Sequence, residues 1–411
     1  MSRDGYSQRR GGGAALLLLI AAVALVVAVL AIFTSVFEKD KTKADDASGA
    51  DVVQPVEPGG TGDGAADTPD TPDTPDEPDT PSGGETTPVS RPTGTGLDDP
   101  TRPASGVITT SETPYQSGGV YVVGNTGYEM YNYVGSLAEK YQQIVNGVAD
   151  SLSGKATVYV MAIPLSSGIT LPDSLYSDIP GSDQAQAERD ILAGMGNNVK
   201  TVALHDALMA HRNEYIYFRT DHHWTALGAY YAYVQFCAAK GITPHGLSEY
   251  EVSQYPDFLG SFYNDAGKPE AMKNTPDTVN AYHPLSADAH MEYGDGENST
   301  LTGGKVIFDE STAPASLKYG AFIMGDNPYT VIENPDITDG SACIVVKESF
   351  GNAFVPFLVD HYQTVYVVDY RYYGGSVSAL AQSKGVSDVL FVNNLSAIRG
   401  SFQIGKLNGV K

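Results

Sequence analysis

The chain has 411 residues, enough for two or three domains, and carries 49 Asp and Glu against 25 Lys and Arg, a formal charge of −24. The imbalance is uneven: residues 1–37 hold three Arg and one Asp, residues 38–110 hold 16 acidic and five basic side chains, and residues 111–411 keep −15. With no basic stripe to neutralise phosphates, a nucleic-acid binder is excluded, and an anionic membrane surface is an equally poor partner for the folded part.

Residues 14–33 read AALLLLIAAVALVVAVLAIF. Twenty uncharged, almost wholly apolar residues make about 30 Å of helix, the thickness of a hydrocarbon core. Arg3, Arg9 and Arg10 precede the run, which places residues 1–13 in the cytoplasm, although Lys39, Lys41 and Lys43 reduce the asymmetry. A cleavable signal peptide has a shorter apolar region of about 7–15 residues ending in small residues. Residues 14–37 are therefore expected to be a retained signal anchor, with residues 38–411 outside the cell. Residues 38–110 contain no aromatic residue, 11 of the 24 prolines and the tract TPDTPDTPDEPDTP. Such a segment cannot bury enough apolar surface to order itself, so it reads as a disordered stalk.

From residue 111 to 411 the pattern is that of a folded domain. Apolar, β-branched runs at 120–123, 156–163, 344–347, 365–369 and 389–392 predict strands. Helical spacing predicts helices at 135–151, 185–195, 202–212 and 226–240, the last stopped by Gly241. Alternating strands and helices predict an α/β fold with a mainly parallel sheet. Residues 242–340 are rich in Gly, Pro and Asn and read as an insertion or lid with short strands. Cys237 and Cys343 are too few for a disulfide framework or a four-cysteine zinc site; each lies in an apolar run, favouring two buried thiols over one bridge.

Two segments carry chemistry. In YFRTDHHWT, just before the 226–240 helix, Asp221 and His223 are two apart and share a face in extended chain. A carboxylate beside an imidazole is the orienter–base half of a hydrolytic triad. Capping or core packing at a helix start accounts equally well for an isolated D-x-H. Metal binding by Asp221, His222 and His223 is not expected, because adjacent histidines in extended chain point apart and no other cluster supplies the missing ligands. In CIVVKESFGNAF an apolar strand runs into Glu348-Ser349 and a helix follows. A serine at a strand-to-helix turn is a nucleophile position, and also an N-cap position. Gly325-Asp326-Asn327 and Asn352 are candidates for presenting amides to an oxyanion, and Arg371, at a strand end, for holding a substrate oxygen; a simple turn and a solvated arginine are the plainer readings and are favoured.

With both segments in hand, the chain resembles the DHHW family, named for the motif Asp221-His222-His223-Trp224. The resemblance also rests on YIYFRT before the motif, LGAYYAY after it, KESFGNAFVPFL and VVDYRYY, and spans most of residues 115–411. The family is similar to SGNH-hydrolase-like proteins that O-acetylate alginate. The resemblance implies a three-layer, flavodoxin-like mainly parallel sheet, circularly permuted because Asp and His precede Ser. It implies Asp221 as orienter, His223 as base and Ser349 as nucleophile, with His222 and Trp224 beside them, and no cofactor. Glu348-Ser349-Phe350-Gly351 departs from the alginate proteins, which have a smaller polar residue before Ser-Tyr. The expected function is a membrane-anchored extracytoplasmic serine esterase or O-acetyltransferase acting on a cell-surface polysaccharide. A transferase would draw acyl groups from a membrane acyl-exporting partner. The alternative is a non-catalytic glycan-binding module on the same fold.

Overall fold

The computed structural model describes residues 106–177 and 181–411. The expected cytoplasmic tail 1–13, the anchor 14–37 and the linker as far as residue 105 lie outside the described residues. Among the described residues no helix is long and apolar enough to cross a membrane. Contacts to the folded part begin before the expected boundary at 110, since Ile108 and Asp173 exchange hydrogen bonds of 2.8 and 2.9 Å.

Strands β1 (Tyr115–Ser117), β2 (Val120–Val123) and β3 (Thr126–Glu129) form a small antiparallel sheet, so the predicted 120–123 strand belongs to this sheet and not to the main one. The main sheet is built from β4 (Thr157–Ile163), β5 (Val199–Val202), β8 (His290–Gly294), β9 (Thr302–Gly304), β10 (Tyr329–Glu333), β11 (Ala342–Lys347), β12 (Thr364–Asp369) and β13 (Asp388–Asn394). Their order is β5-β4-β13-β11-β12-β10-β8-β9. The five strands from β5 to β12 run parallel; β10, β8 and β9 continue the sheet antiparallel. Every residue of β11 (ACIVVK) and β13 (DVLFVNN) is buried, as the strands of a sheet covered on both faces require.

The helices are α1 (Gly135–Ser151), α2 (Ser166–Ile169), α3 (Gln184–Ala193), α4 (His205–Met209), α5 (Ala226–Lys240), α6 (Ser261–Asp265), α7 (Glu270–Lys273), α8 (Phe350–Phe354), α9 (Val377–Lys384), α10 (Leu395–Ile398) and α11 (Ser401–Gly409). Helix α1 buries Tyr141, Ile144, Val145 and Val148, one stripe at helical spacing, and packs against α9, α10 and α11. Helix α5 is buried nearly all round and packs against α8. Thr225 caps its start by accepting from Gly228 N–H, and Gly241, at φ +81°, takes the left-handed position that ends it.

One expectation from the sequence needs correction here. The predicted helix over 202–212 is instead the end of β5 followed by the five residues of α4; Val199–Val202 pairs in parallel with β4. The short strands expected in 242–340 are present: β6 (Val252–Phe258) and β7 (Asp277–Tyr282) pair with each other, and β8 to β10 widen the main sheet. Cys237 and Cys343 are free, buried thiols, and burial pushes the Cys237 thiol up to about 12.

Candidate active site

The carboxyl edge of the parallel strands is where an open α/β sheet leaves side chains exposed to ligand. At the end of β11 the chain turns through Glu348 and Ser349 into α8. Ser349 occupies the N-cap position, yet its side chain makes no capping hydrogen bond; its Oγ lies 2.7 Å from His223 Nε2. The Glu348 carboxylate holds the turn, accepting from Phe350 N–H at 3.0 Å and from Asn394 N–H, at the end of β13, at 2.9 Å.

His223 sits in a tight loop closed by a bridge between Tyr217 and Trp224 and by Phe218 N–H donating to the His223 carbonyl. Buried Asp277, on β7, fastens the loop from outside: its carboxylate accepts from the Arg219 and Thr220 backbone N–H groups, Thr220 Oγ, Arg219 Nε and Tyr215 OH. Trp224 Nε1–H donates to the Phe350 carbonyl at 2.9 Å, tying this loop to the serine turn. Tyr319 stacks on the His223 ring at 4.0 Å and donates its hydroxyl to the Ser349 carbonyl at 3.0 Å.

Asp221 completes a hydrogen-bonded chain. Its Oδ1 is 2.6 Å from His223 Nδ1 and also accepts from His223 N–H; its Oδ2 accepts from Ser261 N–H at 2.8 Å. Burial alone would raise the Asp221 pKa, but the His223 and His222 rings and the hydrogen bonds outweigh it and hold the carboxyl well below the usual range. The approach of Ser261 requires glycine before it, because a Cβ at Gly260 would stand 2.1 Å from Asp221 Oδ2. His222 is turned away from the serine: its Nδ1 lies 2.6 Å from Ser261 Oγ.

Below the serine turn lies a buried ion cluster. Lys347, wholly inaccessible, meets Asp369 at 2.9 Å and Asp326 at 3.3 Å, and Arg371 reaches Asp369 at 2.7 Å and Asp326 at 2.8 Å. Two cations against two carboxylates leave no uncompensated charge. Burial would raise the Asp326 pKa, but Lys347 and Arg371 keep it far below its ordinary value. Arg371 is thus buried and paired with both carboxylates. Asn352 donates Nδ2–H to Asp326 at 2.9 Å, and Asn327 donates its amide to the Ile323 and Met324 carbonyls. Both side-chain amides considered for an oxyanion are therefore engaged within the protein. Gly325 belongs to a left-handed turn in which Ile323 (φ +47°) and Met324 (φ +56°) also have positive φ, a strained arrangement for a β-branched residue.

Asp277, Ser261, Gly260 and Tyr319 lie outside the motifs legible in the sequence. Each of these four reaches the site from 30 or more residues away in the chain, with no local signal to mark it.

Asp221, His222 and His223 also bring potential metal-ligand atoms within 4.8 Å of one another. Both nitrogens of His223 lie within hydrogen-bonding distance of Asp221 and Ser349, so a cation taking up that ring would displace one of these contacts.

Fold and site together define a mixed α/β protein with a large, mainly parallel sheet and an Asp–His–Ser cluster at its carboxyl edge. The chain belongs to the DHHW family, whose sequence pattern, described as DHHW protein, matches residues 91–368. A DHHW family protein from Eubacterium siraeum superposes with a TM-score of 0.66 at 29% identity, covering 74% of this chain and 99% of that one. PatB1 of Bacillus cereus, determined with a sulfonyl adduct, superposes at 0.55 with 19% identity, covering 71% and 98%. The O-acetyltransferase domain of Pseudomonas putida AlgJ gives 0.39 at 14% identity, covering 72% and 99%. No curated protein matches the chain.

Proposed function

We propose that this protein is a serine esterase or O-acetyltransferase that acts outside the cytoplasm, from a membrane anchor at residues 14–37, on a cell-surface polysaccharide. The observation that carries the reading is the unbroken contact chain from Asp221 through both nitrogens of His223 to Ser349 Oγ, at 2.6 and 2.7 Å. In this reading the domain is the three-layer SGNH-like sheet in circularly permuted order, since Asp221 and His223 precede Ser349 in the chain.

Ser349 Oγ attacks the ester carbonyl while His223 Nε2 takes its proton, and Asp221 holds the ring in the required tautomer and stabilises the imidazolium. Collapse of the tetrahedral adduct breaks the ester C–O bond, and the leaving alkoxide receives the proton from His223. Water or a sugar hydroxyl then repeats the sequence on the acyl-enzyme, giving hydrolysis or transfer. A transferase would draw its acetyl groups from a membrane acyl-exporting partner. Asn327 and Asn352 bond within the protein, so the oxyanion donor retained in this reading is the Ser349 backbone amide.

The sulfonyl adduct of PatB1 suggests the test. A sulfonyl fluoride should modify Ser349, as read by mass spectrometry of the digested protein, and His223→Ala should abolish the modification. An unmodified Ser349 in the wild type would instead favour the non-catalytic glycan-binding reading.

A further inference from the structure

A recess lies on the carboxyl edge of the same sheet. Its walls come from the segments that follow β4 and β5, closed by residues after β3 and by the start of α3. Its volume is about 380 Å³, within the size of small-ligand sites. In sheet order β4 is two strands from β11, so roughly 10 Å separates the strand end that opens this cavity from the one that leads to Ser349.

The lining has a distinct chemistry. Ser167 Oγ accepts from Gln184 Nε2–H at 2.9 Å, and Ser182 Oγ accepts from Tyr133 N–H at 2.9 Å. Each hydroxyl keeps its own proton for another acceptor. Asp183 uses Oδ1 to cap α3, which leaves carboxylate lone pairs for a donor. Tyr131 and Tyr176 contribute aromatic surface, the latter half exposed at the mouth. Among the described residues the lining holds no Lys or Arg; it does include His205, whose Nδ1 lies 3.2 Å from Asp206 Oδ1. Directed hydroxyl protons, a carboxylate acceptor and phenol rings suit a polyhydroxylated ring with apolar faces. The Asp183 carboxylate in the wall repels an anionic sugar.

We propose that this cavity is a subsite for a neutral sugar unit of the polymer, and that it disfavours a uronate. The inference rests on the reading of Ser349 as the nucleophile only in naming the polymer as substrate; the binding itself is independent of the triad.

The test is titration of the full-length protein with N,N′-diacetylchitobiose, cellobiose and a mannuronate disaccharide, followed by saturation-transfer NMR and calorimetry. Binding of at least one neutral disaccharide is expected, with the mannuronate at least tenfold weaker. Tyr176→Ala, which removes an exposed ring and so leaves the fold intact, and Ser167→Ala should each weaken binding at least tenfold. Absence of binding by both neutral sugars, equal binding of the mannuronate, or unchanged affinity in both variants would each overturn the proposal. Ester cleavage by the wild type is read in parallel. Cleavage without sugar binding sinks the subsite alone, and sugar binding without cleavage keeps the subsite while sinking the serine mechanism.

Discussion

At the residue scale, the site is organised around what holds one imidazole still. His223 is fixed at both nitrogens, stacked on Tyr319 and in ring contact with His222. The geometry separates the two histidines. His223→Ala should remove ester cleavage, whereas His222→Ala should retain most of it, measured as kcat on a small acetyl ester. Asp221→Asn keeps the shape but presents the wrong partner to Nδ1, and a fall in kcat of about 10³–10⁴-fold is expected. Gly260→Ala is a more indirect probe: its Cβ must displace the Asp221 carboxylate, so kcat should fall while KM for a small ester changes little. Much of this was legible as D-x-H-W and E-S-F-G. The choice of His223 rests on the D-x-H-W spacing; where His222 goes was not legible, because it depends on Ser261, 39 residues from His222.

At the scale of elements, two short turns are clamped to each other. The 217–224 loop carries the base and the β11–α8 turn carries the serine, and Trp224 joins them through the Phe350 carbonyl. Asp277→Ala would leave several buried donors of the loop without their acceptor. A loss of about 3–5 kcal/mol is expected, measured by urea unfolding. Gly241→Ala should cost only about 1–2 kcal/mol, the strain of a left-handed residue other than glycine. The helices over 135–151 and 226–240 were legible to the residue because periodicity and end signals agreed. The strand at 199–202 was hidden because it is four residues long, half exposed, and merges with the helical pattern after it. Arg371 and Asp326 could not be paired from sequence, since their meeting depends on where β12 and the Met324–Gly325 turn come to rest.

At the scale of the molecule, titration of buried groups shapes stability. Burial pushes the Glu188 carboxyl up to about 7, against the hydrogen bonds from Leu204 and His205 N–H that favour its charge. An acid raised in the fold binds more protons folded than unfolded, so its contribution weakens as pH rises from about 4.5 to 7, by up to about 3 kcal/mol. His361 behaves oppositely: burial, with His245 and Lys240 nearby, lowers it to about 4, so folding is penalised as pH falls from about 6.5 to 4. Relative to wild type, Glu188→Gln should therefore gain stability on going from pH 4.5 to 7. His361→Gln should gain it on going from pH 6.5 to 4. Thermal unfolding across that range reads both slopes, and parallel curves for wild type and variants would refute the assignment. Asp221 and Asp326 lie on the other side of their reference values. Their stabilisation is present above about pH 4 and is lost below it. The parallel core of the sheet was legible from its continuous apolar strands. Its antiparallel extension was not, because β8 to β10 are short strands among Gly- and Pro-rich loops whose pairing is set by the finished sheet.

The measurement that bears most directly on the central claim is the release of p-nitrophenol from p-nitrophenyl acetate by the wild type and by Ser349→Ala. A serine nucleophile activated by His223 predicts a burst and turnover in the wild type and at least a 10³-fold lower rate in Ser349→Ala, with both proteins equally folded. Equal rates in the two proteins would contradict it.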